Sequence, residues 1–253
     1  MVNVAEDVIS ARGLTMAFGD RVVMSELNFT IRRGEVYVVM GGSGSGKSTL
    51  LRHLLGLQEP AQGEILYGKT SFTRASPPER EEMLRRVGVL YQSAALWTSM
   101  TLAENVALPL QQFTRLSPPR VRDVVELKLA LVGLLGFEEF YPWELSGGMQ
   151  KRAGLARAIA LDPEILFIDE PSASLDPPTG RHLDRLILQL QRALGTTVVV
   201  VTHDVASILA IGTRALYLDG ESKRAIAEGP PAELRERGPP QVRAFFGQGE
   251  AVH

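Results

Sequence analysis

The chain has 253 residues, a net charge of −2 and no cysteine. This length suits one sizeable core, with or without a smaller lobe, and a composition of 45% apolar and 22% charged residues excludes disordered and fibrous classes. The near-neutral charge argues against a nucleic-acid partner, while the absence of cysteine excludes disulfides and thiolate metal sites and indicates a reducing, cytosolic compartment.

The first predicted elements are a small antiparallel sheet and the start of a larger core. Residues 7–32 and 61–72 form short alternating segments broken by glycine, a pattern typical of paired antiparallel strands. Between them, the segment "EVYVVM" (35–40) is continuously apolar, as in a parallel strand covered on both faces. Residues 47–56 follow with a helical pattern.

The rest of the chain alternates helices and buried strands. Residues 93–160 predict a mainly helical inserted lobe with its own Pro and Gly breaks. After it, strands and helices follow one another at 164–170, 179–193, 196–202 and 215–219. The predicted fold is therefore α/β, one domain over residues 1–253 with a small antiparallel β lobe and an inserted α-helical lobe.

A proline-led tail, 238–253, closes the chain. It carries two adjacent aromatic residues, Phe245 and Phe246. Packing on the chain's own core is favoured for these two residues, and docking on a neighbouring subunit or an accessory protein is the alternative.

The strongest motif is "GGSGSGKST", directly after a predicted strand and directly before a predicted helix. Glycines let successive N–H groups point at phosphate oxygens, and the helix start adds its positive dipole end. Lys47 is predicted to reach the β and γ phosphates of a nucleotide, and the Ser48 hydroxyl to coordinate Mg²⁺. The predicted phosphate cradle is Gly41, Gly42, Ser43, Gly44, Ser45, Gly46, Lys47, Ser48 and Thr49.

A phosphate cradle alone does not distinguish a kinase from a GTPase or a motor, and two further motifs narrow the class of enzyme. "ILFIDEP" places two acids at the end of a buried strand, where Asp169 can join the Mg²⁺ shell and Glu170 can polarise a water for attack on the γ phosphate. "LSGGMQ" predicts a helix capped by Ser146, Gly147 and Gly148, which forms a second anion site. Two such sites in one chain favour a head-to-tail homodimer, in which this cap closes on ATP held by the other subunit.

The motifs "GGSGSGKST", Gln92, "LSGGMQ", "ILFIDEP", "SLDP" and "VTHD" resemble, in order and spacing, those of the ABC transporter ATPases. The resemblance implies a P-loop NTPase (RecA-like) core that uses ATP and Mg²⁺. It implies that Gln92 senses Mg²⁺ and the attacking water, that Asp176 bridges two subunits, and that His203 contacts the γ phosphate. Phe18 occupies the place of the family's adenine-stacking aromatic residue, and packing within the small sheet is the alternative for it.

Within that family, "YQSAALWTSMTLAENVALPL" is similar to the ATPases of phospholipid transporters of the Mla and Mce type, although Ala94 replaces a usual glycine and Trp97 a usual phenylalanine. The resemblance implies an integral membrane permease, a peripheral position on the cytoplasmic face of the inner membrane, and optionally an accessory cytoplasmic subunit and a periplasmic lipid-binding protein. Importers of polar solutes and non-transport regulatory ATPases remain alternatives.

The apolar residues of this stretch have two interpretations. Leu96, Trp97, Met100 and Leu102 would form one wall of a cleft that receives a cytoplasmic helix of the permease. Core packing of the helical lobe is favoured for Leu102 and Val106, whose spacing matches one helix face. Trp97, followed by a turn-like Thr-Ser pair, is the residue expected to be exposed.

Overall fold

A computed structural model describes residues 6–248, which form two compact units. Unit 1 contains residues 6–84 and 197–248, and unit 2 contains residues 85–196. The strands of the described chain are β1 (Asp7–Phe18), β2 (Arg21–Arg32), β3 (Val36–Met40), β4 (Gln62–Tyr67), β5 (Thr70–Ser71), β6 (Val87–Leu90), β7 (Ile165–Asp169), β8 (Thr197–Val201), β9 (Arg214–Asp219) and β10 (Arg224–Gly229). The helices are α1 (Lys47–Leu54), α2 (Pro77–Leu84), α3 (Leu102–Phe113), α4 (Pro118–Leu131), α5 (Gly147–Ala158), α6 (Pro177–Leu194), α7 (Val205–Ile211), α8 (Pro231–Arg237) and α9 (Pro240–Gln248).

Unit 1 contains two kinds of sheet. Its antiparallel sheet has the order β2-β1-β4-β5, which confirms the predicted small β lobe. In its other strands, β3 lies between β8 and β9 and is parallel to both, while β10 pairs antiparallel with β9. Every residue of β3 and β8 is buried, which explains why their sequences are continuously apolar rather than alternating.

The tail of unit 1 folds back onto its own core. Helix α9 carries Phe245 and Phe246, which are 8% and 1% exposed. The Phe245 ring meets the Tyr217 ring edge-on, with centroids 5.4 Å apart, and Tyr217 belongs to β9. The two aromatic residues therefore pack within the chain, and docking on a neighbouring subunit is not their role; the last five predicted tail residues, 249–253, lie outside the described residues.

Unit 2 combines the parallel pair β6 and β7 with helices α3 to α6. Its helices begin where the sequence supplies caps: Thr101 and Glu104 form a reciprocal capping box at α3, and Asp176 accepts a hydrogen bond at the start of α6. Gly195 ends α6 in the left-handed conformation that favours glycine. In residues 6–248, no helix combines the length and apolar character that crossing a membrane requires.

Candidate functional site

The glycine-rich loop joins β3 to α1 in unit 1. Gly41, Gly44 and Gly46 have positive φ angles of 150°, 76° and 88°. A Cβ on Gly41 would lie 2.4 Å from the carbonyl oxygen of Leu218, and one on Gly46 would lie 2.9 Å from a methyl group of Val23. Glycine is therefore required at both ends of the loop, for its backbone conformation and for space.

Lys47, the first residue of α1, lies behind this loop and is 7% exposed. Its Nζ donates to the carbonyl oxygens of Gly41 and Gly42, both at 2.9 Å. The buried Ser45 hydroxyl has no hydrogen-bond partner within residues 6–248. A positive charge, a hydroxyl that needs an acceptor and a helix start thus converge on the loop, and this donor set fits a phosphate group.

The neighbouring residues of the predicted site are accessible. The Ser48 side chain, in the first turn of α1, is exposed, and Thr49 is half-buried. Phe18, at the end of β1, is 50% exposed, so it is not part of the core of the small sheet and one ring face can meet a ligand. His203 is exposed two residues after the end of β8, and beside it the Thr202 hydroxyl accepts a hydrogen bond from the Asp204 N–H at 3.1 Å.

In unit 2, the two acids predicted to act on the nucleotide lie at the end of strand β7. Asp169 is its last residue and is half-buried, while Glu170 follows at 9% exposed with a φ of 46°. The Glu170 carbonyl oxygen accepts from the Ala173 N–H at 3.2 Å and from Lys151 Nζ at 3.1 Å. The backbone of Glu170 is thus held in a left-handed conformation that a residue with a Cβ rarely adopts.

The start of α5 has the predicted cap. Ser146 Oγ accepts from the Met149 N–H at 3.3 Å, and Gly147 is exposed. A Cβ on Gly148 would lie only 2.5 Å from Cγ2 of Thr179 in α6. Gly148 is therefore needed for the close approach of α5 to α6, a packing reason that the motif alone did not indicate.

Asp176 caps the same α6. Its carboxylate accepts from the Thr179 N–H at 3.0 Å, and hydrogen bonds from Thr179 lower the pKa of this exposed carboxyl group. A local role as a helix cap thus accompanies the bridging role that the resemblance implies.

Gln92 is exposed in a turn that follows β6. Further along this turn, Ala94 and Ala95 have left-handed φ angles of 60° and 51°. Arg157 of α5 donates through Nη2 to the Ala94 carbonyl oxygen at 2.9 Å and through Nη1 to that of Ala95 at 2.8 Å. The sequence indicated only that alanine replaces a usual glycine at position 94; the clamp by Arg157 comes from the tertiary structure.

The apolar stretch after Gln92 divides into exposed and buried residues. Trp97 is 57% exposed, whereas Leu102 and Val106 are 0% exposed. The core packing favoured for Leu102 and Val106 is therefore confirmed. The alternative, in which Leu102 lines a docking cleft, is wrong because its side chain faces the core of unit 2. Leu96 and Met100 are half-buried.

Asn105 of α3 holds the Trp97 loop in place, and the sequence analysis did not identify it. This fully buried side chain accepts from the Trp97 N–H at 2.8 Å and donates to the carbonyl oxygens of Trp97, Met100 and Thr101 at 3.1, 3.2 and 2.9 Å. A polar residue between apolar helix positions was the available signal, because a buried amide requires such partners.

The predicted Mg²⁺ ligands are Ser48 in unit 1 and Gln92 and Asp169 in unit 2. Within the described part of the chain, no group of three or more His, Cys, Asp or Glu side chains could hold a metal ion. The predicted set supplies oxygen atoms and a single carboxylate. This chemistry fits Mg²⁺, which is commonly bound by one or two carboxylates together with substrate phosphates and water.

Comparison with known proteins identifies the family. The ABC transporter family model matches residues 24–173, which span the glycine-rich loop, the α5 cap and β7. The chain belongs to the ABC transporter family. It is an ABC-type ATPase.

The relatives include proteins with different named cargoes. The chain is 42% identical to the intermembrane phospholipid transport system ATP-binding protein MlaF of Haemophilus influenzae, over 90% of this chain and 86% of that protein. It is 40% identical to the probable ribonucleotide transport ATP-binding protein mkl of Mycobacterium tuberculosis, over 94% of this chain and 66% of that protein. Among solved structures, the ATP-binding cassette MJ0796, a dimer in a post-hydrolysis state with ADP and Pi, matches with a TM-score of 0.79 and 32% identity over 88% of this chain and 98% of that chain.

Proposed function

We propose that this chain is the ATP-hydrolysing subunit of a transporter that moves phospholipid between bacterial membranes. The observation that carries the ATPase part is the glycine-rich loop, in which Gly41 and Gly46 leave no room for a Cβ and Lys47 lies directly behind. The phospholipid part is supported by the similarity to MlaF, which extends over 86% of that protein.

Each predicted residue has a role in this reaction. Lys47 binds the β and γ phosphates of ATP, the loop N–H groups bind the remaining oxygens, and Phe18 stacks on adenine. Ser48, Asp169 and Gln92 would hold Mg²⁺, which when bound neutralises charge on the β and γ phosphates. Glu170 orients and polarises the attacking water, and His203 contacts the γ phosphate.

The working form is a head-to-tail homodimer. The start of α5, with Ser146 and Gly147 exposed, presents free N–H groups to the ATP held by the other subunit. Asp176, exposed at the start of α6, bridges the two subunits near the hydrolytic site. The dimeric state of the ATP-binding cassette MJ0796 supports the homodimer.

The dimer acts on the cytoplasmic face of the inner membrane, against an integral membrane permease. Trp97 supports this proposal, because a 57% exposed Trp on a loop fixed by Asn105 is the kind of residue that anchors a protein interface. An accessory cytoplasmic subunit and a periplasmic lipid-binding protein complete the complex.

The test is purification of the chain from detergent-solubilised membranes, followed by mass spectrometry of its proteins and lipids. We expect a permease and enriched phospholipid. The control is the Lys47→Ala chain, which should bind ATP weakly. Any part of the co-purified lipid that depends on nucleotide should differ between this variant and the unchanged chain. A different result would overturn the phospholipid part of the proposal: a permease that purifies with a binding protein for nucleotides or another polar solute, and without lipid enrichment. That result would favour a polar cargo such as the ribonucleotide named for mkl. It would leave the ATPase part of the proposal intact.

A further inference from the structure

Lys151 is a buried cation in α5, 6% exposed, and the sequence motifs give it no role. Its Nζ donates to the carbonyl oxygen of Glu170 at 3.1 Å. A second buried lysine of the same unit, Lys128 of α4, provides a contrast, because its Nζ pairs with the carboxylate of Asp162 at 2.5 Å. Lys128 makes an ordinary ion pair, whereas Lys151 holds the main chain at the acid proposed to polarise water.

The main chain at Glu170 needs such a contact. Its φ of 46° lies in the left-handed region, which is disfavoured for a residue with a Cβ and persists only where the surroundings hold it. Its carbonyl oxygen accepts hydrogen bonds from the Ala173 N–H within the same loop and from Lys151 of α5. Lys151 therefore connects this loop to α5.

The charges around Lys151 agree with this placement. Burial lowers the pKa of its ammonium group, and the negative charges of Asp169 and Glu170 act in the opposite direction. The lysine thus lies close to both acids while its proton is directed at the backbone of one of them.

We propose that Lys151 is a positioning residue for ATP hydrolysis, which holds the Glu170 backbone so that the Glu170 carboxylate is aimed at the attacking water. This inference rests on the proposed role of Glu170. It also gives α5 two functions. Its N-terminus binds the partner subunit's nucleotide, and Lys151 holds the acid that acts in its own subunit. Lys151 is five residues after Ser146, about 7.5 Å along the helix.

The test compares Lys151→Met, Lys151→Arg and the control Lys128→Met. Lys151→Met keeps the apolar stem and removes the donor, so kcat should fall by about 10²-fold, the cost of misplacing a reacting group by about 1 Å, while KM for ATP stays unchanged. Lys151→Arg keeps a donor on a similar stem and should restore most of the turnover. Lys128→Met removes a comparably buried cation and should leave kcat unaltered. Unchanged kcat in Lys151→Met, or a rise in KM alone, would overturn the proposal.

A double mutant separates positioning from a general structural effect. If Lys151 acts only through Glu170, adding Lys151→Met to Glu170→Gln should lower turnover no further. A multiplicative loss would mean that Lys151 acts on something else and would overturn the proposal. Normal turnover of Glu170→Gln alone would instead overturn the proposed role of Glu170. Should Lys151→Met fail to fold, Lys151→Gln takes its place: its shorter donor should lower kcat at an unchanged melting temperature, and unchanged kcat would count against the inference.

Discussion

At the scale of single residues, the chain places several non-glycine residues in backbone conformations that are costly unless the surroundings support them. Glu170, Ala94 and Ala95 all adopt left-handed backbone angles, and each of the three carbonyl groups accepts a hydrogen bond from a cation of α5. Non-glycine residues in this region cost of order 1 kcal/mol or more each. Strain held by neighbouring donors is typical of functional loops, where a fixed geometry matters more than stability.

The first residue-scale prediction separates the hydrolysis step from ATP binding. Glu170→Gln should bind ATP normally and lower turnover by about 10²-fold or more, because the amide is a poor proton acceptor. Lys47→Ala should weaken ATP binding itself, since it removes a charge held against the phosphates. Nucleotide titration and steady-state turnover on both variants check this; near-normal turnover of Glu170→Gln would remove that residue from the mechanism.

A second residue-scale prediction concerns pH. His53 of α1 is 1% exposed, its Nδ1 lies 2.8 Å from the Gln58 carbonyl oxygen, and its Nε2 is buried without a hydrogen-bond partner in the described chain. Burial lowers its pKa, while the Gln58 carbonyl and the charge of Glu59 act in the opposite direction. Because the pKa of the folded state is the lower one, the unfolded chain binds more protons below about pH 6.5, and stability falls as the pH drops through that value.

We therefore expect His53→Asn, which keeps an N–H donor near Gln58, to reduce the loss of stability between about pH 7.5 and about pH 5.5. Urea unfolding midpoints of both proteins at the two pH values give the measurement. An equal loss in both proteins would show that another group controls acid sensitivity in this range.

At the scale of elements, α3 supports the loop in front of it. Asn105 makes four hydrogen bonds to the backbone between Trp97 and Thr101, and the capping box of Thr101 and Glu104 fixes the helix start. The loop is consequently part of the helix architecture, although it has no regular secondary structure. Trp97 is presented by this loop without being buried by it.

Two substitutions separate presentation from contact. Asn105→Leu removes the hydrogen bonds at similar volume and should lower the free energy of unfolding by about 2 to 4 kcal/mol, since buried backbone groups lose their partners. Trp97→Ala should leave stability and ATP affinity almost unchanged but cost about 2 kcal/mol or more of permease affinity. Urea unfolding and permease co-purification on both variants test this, and strong destabilisation by Trp97→Ala with intact permease affinity would make Trp97 a core residue.

Sequence patterns predicted the elements whose burial is uniform. The apolar runs of β3, β7, β8 and β9 and the periodic helix α6 were all recognisable. In contrast, β10 was missed because its half-exposed edge sequence, "RAIAEG", has no clear strand pattern. The spacing of Leu102 and Val106 indicated a buried helix face, and both residues are buried.

The candidate site shows the same division. Motifs give residue types and order, so the glycine-rich loop and the acids after β7 could be predicted. Contacts between residues far apart in the chain, such as Arg157 with Ala94 or Lys151 with Glu170, leave no spacing signal, because the fold alone brings them together.

At the scale of the whole molecule, activity is expected to belong to the pair of subunits rather than to one chain. The glycine-rich loop and the α5 cap are the two proposed anion sites, and the proposed homodimer uses one from each subunit for each ATP. The deletion of residues from Gln241 onward should not act through the dimer: it removes Phe245 and Phe246 from the core of unit 1 and should lower the melting temperature of the monomer.

A mixing experiment tests the shared site. Ser146→Arg alone should be inactive, because the arginine blocks the cap that faces the partner's ATP. Mixed with Lys47→Ala chains, it should regain part of the activity, since one heterodimer site then combines an intact loop with an intact cap. Turnover of the mixture against each purified variant is the measurement, and full activity of purified Ser146→Arg would contradict the shared arrangement.

The contacts of α5 bear on how this chain can change over evolutionary time. Four of its residues, spaced three apart, each meet a different restraint: Gly148 approaches Thr179, Lys151 holds Glu170, Gly154 leaves no room for a Cβ beside Leu90 and Ala94, and Arg157 holds the turn after Gln92. A substitution at any one of them disturbs a neighbour that the other three do not compensate. In a saturation library selected for growth, we expect very few substitutions to be accepted at these four positions and many at the exposed residues of α4. Related chains should therefore differ on the surface of α4 long before they differ at these four positions of α5.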